Sequence, residues 1–294
     1  MNEYRIAHIS DIHLGPLPSV RLRDLMNKRL TGWLNWHLGR GSHFRIDVLE
    51  DLLSDLAEQK VDHIICSGDL CNLGLPQEWP QARAFMERLG QPDNVSFVPG
   101  NHDAYLEGSL EGFLQSLSDY IPQTEKAFPY MCIHGPFQFF FLNSAIPQPA
   151  FKARGTLGDI QIQQLKNLLD SCEQNPDLIK TIILHHPPLV HLGHPHKELT
   201  DAAELTEILH TYKINLVLFG HNHRHHVSQH VQQNHKSAII GAPSLSLLSE
   251  REEKTPGYHI ITAQQNNENS YDLSIESRLW SPTGIIGSEK NKLL

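Results

Sequence analysis

Five short clusters hold the residues of this chain that could do chemistry: Asp11-Ile12-His13, Gly68-Asp69, Gly100-Asn101-His102-Asp103, His185-His186-Pro187-Pro188 and Gly220-His221-Asn222-His223. Carboxylates, imidazoles and one amide oxygen are the donors that suit a pair of borderline divalent cations, and no thiol accompanies them. Taken singly the clusters say little, because Asp-x-His and Gly-Asp recur by chance. Their weight comes from position. Each follows an apolar run, and at the end of a strand residues i and i+2 can leave together on the same side. The glycines at 68, 100 and 220 allow close backbone approach at those points.

The elements that must position these clusters alternate along the chain. Residues 4–10 read as a strand. Residues 47–60 read as a helix, with Val48, Leu49, Leu52, Leu53 and Leu56 on one face and Asp47 and Glu50 at capping-box spacing. A buried strand is expected over 61–69, a helix over 77–90 that stops at Gly90, and a strand over 95–103. This β-α-β-α-β order implies a largely parallel sheet flanked by helices, where loops at the carboxyl ends of the strands share one crevice. Further on, 128–135 and 137–144 read as antiparallel neighbours around Gly135-Pro136. Helices are expected over 158–170 and 201–212, and strands over 181–188 and 214–223. Residues 227–244 suggest a hairpin about Asn234, and 258–264 with 271–280 a second hairpin. No linker or fixed-period repeat divides the chain, so one domain is expected over 1–294, with a loosely held polar tail from about 281.

With 294 residues, 39% of them hydrophobic and 19% charged, the chain can bury a sizeable core. Its 24 basic and 33 acidic residues give −9, which weighs against duplex nucleic acid as a partner. The N-terminus lacks a basic region followed by an apolar stretch, no run approaches the ~18 apolar residues that span a bilayer, and Cys66, Cys71, Cys132 and Cys172 form no C-x-x-C pair. A cytoplasmic protein with reduced thiols is expected. One segment breaks the acidic trend. Residues 16–45 carry Arg21, Arg23, Lys28, Arg29, Arg40 and Arg45 against Asp24 alone, hence 6 − 1 = +5, with Trp33 and Trp36 among them. This basic insert follows the Asp11/His13 loop directly. Either it recognises an extra phosphate or an anionic lipid or membrane surface, or it is a helical insert that packs its tryptophans on the domain. His191, His194 and His196 either line the substrate mouth or are solvated. His225, His226, His230 and His235 read as surface positions.

As a set, D-x-H at 11–13, G-D at 68–69, G-N-H-D at 100–103, H-H-P-P at 185–188 and G-H-x-H at 220–223 resemble the calcineurin-like metallophosphoesterase family, from near residue 5 to about 245. The resemblance implies an α/β fold, a four-layer α/β/β/α sandwich of two mixed β-sheets flanked by helices, with a dinuclear metal centre at one edge. Carried over position by position, it puts one ion on Asp11, His13, Asp69 and His223. The other falls on Asp69, Asn101, His185 and His221, with Asp69 bridging. His185 is preferred to His186 because the family's ligand tends to sit in an H-x-P frame. A hydroxide shared by two ions about 3.5–4 Å apart would attack phosphorus in line. His102 would stabilise the phosphoryl charge and protonate the leaving oxygen, and Asp103 would fix its tautomer. Manganese, iron, zinc and cobalt fit the donors alike. The expected substrate is a small phosphorylated molecule, a phosphodiester first. Alternatives are a phosphomonoester or a lipid-linked nucleotide pyrophosphate, although relatives acting on the latter favour Arg at the position of His102. A non-enzymatic scaffold is weighed against by every ligand position being filled. The sequence leaves the oligomeric state unread.

Overall fold

In a computed structural model describing residues 3–121, 128–172, 177–232, 235–267 and 270–294, thirteen strands form two sheets, of seven and six. In the first sheet β1 (Glu3–Ile9), β2 (His63–Cys66) and β3 (Val95–Phe97) run parallel. β10 (Gly257–Gln265) pairs antiparallel with β1 and is followed outward by β11 (Tyr271–Ser281). The second sheet has a parallel centre of β5 (Phe137–Phe141), β6 (Ile179–Ile183), β7 (Leu216–Phe219) and β9 (His235–Gly241). Antiparallel β4 (Tyr130–His134) and β8 (His226–Gln232) close its edges. Between β1 and β2 lie the insert helices α1 (Arg29–Asn35) and α2 (Gly41–His43), and then α3 (Ile46–Glu58). α4 (Trp79–Leu89) links β2 to β3 and α5 (Ser109–Ser116) follows β3. α6 (Gly158–Ser171) and α7 (Ala202–Thr211) precede β6 and β7.

Side-chain alternation sorts the core into layers. On β5, Phe137, Phe139 and Phe141 point between the sheets, while Phe140 packs with Ile182, Val217, Leu165, Leu169, Leu205 and Leu209 under α6 and α7. Tyr4 meets Phe137 across the gap, so Ile6 and His8 share that inner face, and Ala7 and Ile9 lie on the other. The buried face of α3 is the one its sequence period marks, Val48, Leu49, Leu52, Leu53 and Leu56. The expected four-layer architecture is the observed one. Strands end earlier than their apolar runs suggest: β2 at Cys66, β3 at Phe97, β6 at Ile183 and β7 at Phe219. The polar residues beyond them turn out of the ladder to form the site.

Two expectations change. The tail from about 281 is not loose: β12 (Gly284–Gly287) and β13 (Asn291–Lys292) both pair with β11, and Leu293 is buried in the core between the sheets. A polar, alternating edge hides this from a reading of hydrophobicity. In the hairpin expected over 227–244, β8 and β9 do pair antiparallel, but β9 also lies parallel to β7, which makes its exit another loop at the site. The turn at Asn234 lies outside the described residues. Among the described residues no helix is long and apolar enough to cross a membrane.

The inner layer also holds three histidines. His8 and His63 bond Ser67 Oγ and Ser96 Oγ at 2.9 and 3.0 Å, and His259 lies between Ser277 Oγ and the Gly241 carbonyl, both at 3.1 Å. Burial pushes His8 and His63 down to about 3, and His259 well below its usual value. All three are therefore neutral in the folded state, whereas the unfolded chain protonates them below ~6.5. The sign follows: below pH 6.5 the unfolded state holds more protons, so stability falls with pH down towards about 3. His8 and His63 together should cost roughly 3 kcal/mol between pH 6.5 and 5. Urea midpoints measured at pH 7.5, 6 and 5 should drop accordingly, and His63→Gln should flatten the slope.

Candidate metal centre

The exits of β1, β2, β3, β6 and β7 meet at one edge of the two sheets. Donor atoms of Asp11, His13, Asp69 and His223 lie within 4.8 Å of one another, and so do those of Asp69, His185 and His221. Asn101 joins the second group, its Oδ1 being 3.2 Å from His185 Nε2. Asp69 Oδ2 is 3.6 Å from His13 Nε2 and 3.3 Å from His185 Nε2, so one carboxylate faces both groups. His185, not His186, supplies the imidazole. The His186 ring turns away to Ser144 Oγ at 2.8 Å.

Backbone geometry is spent on this convergence. Asp11, His13, Asp69, His221 and His223 all have φ between 46° and 68°, five of the nine described non-glycine residues in the left-handed region. Each such residue costs on the order of 1 kcal/mol and persists only where its surroundings hold it. The holders are visible. The Asp11 amide donates to the Gly68 carbonyl and the His13 amide to Asp69, both at 2.9 Å. The His221 amide donates to Asp11 Oδ2 at 2.9 Å. A Cβ on Gly100 would collide with the Asp69 carboxylate and amide, so only glycine lets the two loops touch.

Hydrogen bonds to carbonyls set the ring tautomers. His13 Nδ1 donates to the Cys71 carbonyl at 3.2 Å and His185 Nδ1 to the Ser67 carbonyl at 2.6 Å, which turns both Nε2 atoms inward. These atoms meet other ring nitrogens: His13 Nε2 lies 3.4 Å from His223 Nε2, and His185 Nε2 3.3 Å from His221 Nδ1. Asp11 Oδ1 is buried and faces His223 Nε2 at 3.2 Å. Four imidazoles packed nitrogen to nitrogen around two buried carboxylates are the arrangement that cations relieve, and the set fits two of them. The charges agree. Burial pushes the Asp69 carboxyl up, but His185 and His102 outweigh it and hold it well below the usual range. Burial also lowers His13 and His221 well below their usual value, leaving neutral rings. His185 differs: burial lowers it, yet Asp69 and Asp11 outweigh burial and raise the ring to about 9, so without metal its Nε2 holds a proton toward Asp69 that a bound cation would displace.

The sequence matches the family described as calcineurin-like phosphoesterase over residues 4–225. The chain belongs to that family. It is 26% identical over 234 residues to a glycerophosphodiester phosphodiesterase of Enterobacter lignolyticus, covering 77% of this chain and 73% of that one. It is 24% identical over 260 residues to a probable cyclic nucleotide phosphodiesterase of Synechococcus, covering 87% and 86%. Among solved structures it resembles a purple acid phosphatase from yellow lupin, with a TM-score of 0.64 at 15% identity, and spans 98% of this chain but 53% of that one. A dimetal phosphatase from Danio rerio gives 0.61 at 14% identity, covering 97% and 98%. At such identities the structural likeness speaks for the fold alone.

Further residues of the phosphoesterase surround the two donor groups. His102 lies beside the metal groups and in neither, its ring 4.8 Å from that of His13 and edge-on to it. Its backbone N–H donates to Asp69 Oδ1 at 2.7 Å. The expected partnership with Asp103 is corrected. His102 Nδ1 donates to the Asn72 carbonyl at 2.5 Å, while Asp103 accepts the backbone N–H groups of Asp69, Cys71 and Gly100 at 2.8–2.9 Å. Asp103 thus clamps the two ligand loops together and does not orient the imidazole. Burial and Asp69 push its carboxyl up to about 7, against three donors that favour the ionised form.

Several helpers escaped the sequence reading. Ser244 Oγ and Ser246 Oγ donate to the Asp11 and Ile12 carbonyls at 2.6 and 2.5 Å, from the exit of β9. The signal for them was the apolar run Ala238-Ile239-Ile240-Gly241 ending in polar residues, as at the other strands. Glu78 accepts from the amides of Asn72, Leu73 and Leu75, and so fixes the loop whose carbonyl holds His102. Arg40 enters from the insert, its Nη2 donating to His102 Nε2 at 3.3 Å. Arg29 turns inward instead, to the Leu73 and Gly74 carbonyls and Ser109. His191, His194 and His196 are exposed. His225, His226, His230 and His235, expected at the surface, are each half-buried and stand outside both donor groups. Asp69→Asn should lower bound metal from about two ions per chain to less than one, since an amide cannot bridge two cations. Elemental analysis checks this, with an unchanged far-ultraviolet spectrum showing that the fold survives.

Proposed function

We propose that the chain hydrolyses phosphodiesters at two metal ions, one held by Asp11, His13, Asp69 and His223 and the other by Asp69, Asn101, His185 and His221. The observation that carries this reading is the convergence of both donor groups on the single carboxylate of Asp69. Bound cations supply Lewis acidity toward phosphoryl oxygens and a water acidified to near neutral pH. Manganese, iron or zinc suits the nitrogen and oxygen set. A diester is favoured over a monoester because the two relatives matched by sequence are named for diesters. A cytoplasmic setting belongs to the same proposal, and four unpaired cysteines support it.

The chain's own residues handle proton and charge. Asn72 fixes the His102 ring with its Nε2 toward Arg40. Burial first, and then Arg40, push His102 down to about 4, so the ring is neutral before substrate arrives. A phosphate anion beside it favours the charged form, which puts a proton on Nε2 for the leaving alkoxide. Arg40, in contact with the same nitrogen, can share the negative charge that develops on the phosphoryl oxygens.

A panel on metal-loaded protein tests the reading. An aryl phosphodiester should be cleaved faster than the matching aryl monoester; the reverse order would make the chain a phosphomonoesterase. His102→Ala should keep its metal and lose ~10²-fold in turnover on an alkyl diester. The loss should be much smaller with a p-nitrophenyl leaving group, which needs no proton. Equal losses on both esters would remove His102 from proton transfer.

A further inference from the structure

The insert is folded inside out. Leu22, Met26, Leu30, Leu34 and Leu38 recur every four residues, and all five are exposed, with 86%, 85% and 83% of Leu22, Met26 and Leu38 open to solvent. In the helical stretch each step of four turns the side chain by only ~40°, so Leu30, Leu34 and Leu38 share a face. The inward side carries Leu25 and, unusually, the guanidinium of Arg29. It is also pinned by close approach: a Cβ on Gly32 would run into Tyr105 and Leu73. Beside the stripe, Lys28 Nζ donates to the Gln148 carbonyl and ties the insert to the loop that carries Phe151, which is 90% exposed at φ 67°. A soluble surface does not ordinarily leave a row of large apolar side chains in water.

We propose that this stripe, with Phe151, seats the protein on an anionic lipid bilayer. The charge pattern selects that occupant. Between residues 16 and 45 no acidic residue is exposed, because Asp24 is half-buried and lies 3.8 Å from Arg23. Arg21 and Arg23 flank the stripe and Lys152 adjoins Phe151, all exposed, on a chain that carries −9 overall. Apolar side chains at the acyl boundary with cations at the head-group level are the pattern of an interfacial helix. Trp33 and Trp36 sit half-buried on the same stretch, as amphipathic rings do at such a boundary. A second copy fits less well, since pairing two such faces would bring together surfaces that carry exposed cations and no exposed acid. Docking by this face puts Arg40, two residues beyond Leu38 and in contact with His102, close to the lipid head groups. The proposal concerns where the protein sits, and it stands whether or not the substrate is a diester.

Co-sedimentation with vesicles is the test. The whole chain should pellet with phosphatidylethanolamine vesicles containing phosphatidylglycerol, far less with pure phosphatidylcholine, and less as salt is raised. The triple variant Leu22→Glu, Met26→Glu, Leu38→Glu should lower vesicle binding at least tenfold. Because these side chains are already in water, its hydrolysis of a soluble aryl diester should stay within twofold of the parent. Parent protein that remains in the supernatant with anionic vesicles overturns the proposal, as does a triple variant that pellets like the parent. It is equally overturned by a parent dimer in light scattering that the triple variant converts to monomer. Failure of the aryl diester to react with the parent counts against the phosphodiesterase reading alone.

Discussion

The carboxylate of Asp69 is the constraint from which the rest of the site follows. It faces His13 from one donor group and His185 from the other, and its second oxygen accepts the His102 amide. To hold one acid against that many nitrogen lone pairs, the protein puts Asp69 in the left-handed region, keeps Gly100 against it, and clamps its amide with Asp103. Five left-handed donor residues at on the order of 1 kcal/mol each approach the whole net stability of an ordinary domain. The fold must therefore be rigid at this edge for reasons other than the ligands themselves. Two bound cations would return part of the cost by neutralising the buried lone pairs they meet.

That rigidity comes from joining two sheets. Asp11, His13, Asp69, Asn101 and His102 belong to exits of the first sheet, and His185, His221 and His223 to exits of the second. Neither sheet holds a complete donor group alone, because Asp69 of the first needs His185 and His221 of the second. The packing of Phe137, Phe139 and Phe141 against the first sheet thus sets the distance between ligands, and the cross-sheet bonds from Ser244 and Ser246 to the 11–12 loop fix its register. The same gap holds His8, His63 and His259 as neutral rings, so acid destabilises the layer that positions the donor groups.

Much of this was legible from residue order. Alternation and apolar runs located the strands, and a strand that has ended explains Asp-x-His and His-x-His pairs aimed at one point. What stayed hidden were contacts between residues distant in sequence that carry no motif. Asp103 looked like the orienting acid because it follows His102 directly, yet its carboxylate points back to three amides, and a carbonyl thirty residues earlier holds the ring instead. Adjacency in sequence is a poor guide in a tight turn, where successive side chains leave in different directions. The C-terminal strands escaped for a different reason. They are two to four residues long, and their few apolar residues, Ile285, Leu293 and Leu294, reach the core without any period to announce them.

The insert shows how far local pattern can mislead about direction. Six cations against one acid left open whether the segment meets an anion or packs its tryptophans on the domain. In the fold Arg29 spends its donors on carbonyls of the 73–74 loop and Arg40 reaches His102, while the leucines between them remain outside. A guanidinium can go inward here because carbonyls left free by the irregular loops after β2 need donors, and Arg supplies several in a fixed fork. Once the arginines are drawn in, helical periodicity leaves the residues about half a turn away no choice but the solvent side. The exposed stripe is then the geometric consequence of wiring the insert into the catalytic edge, and the same wiring couples whatever covers the stripe to the side chain beside His102.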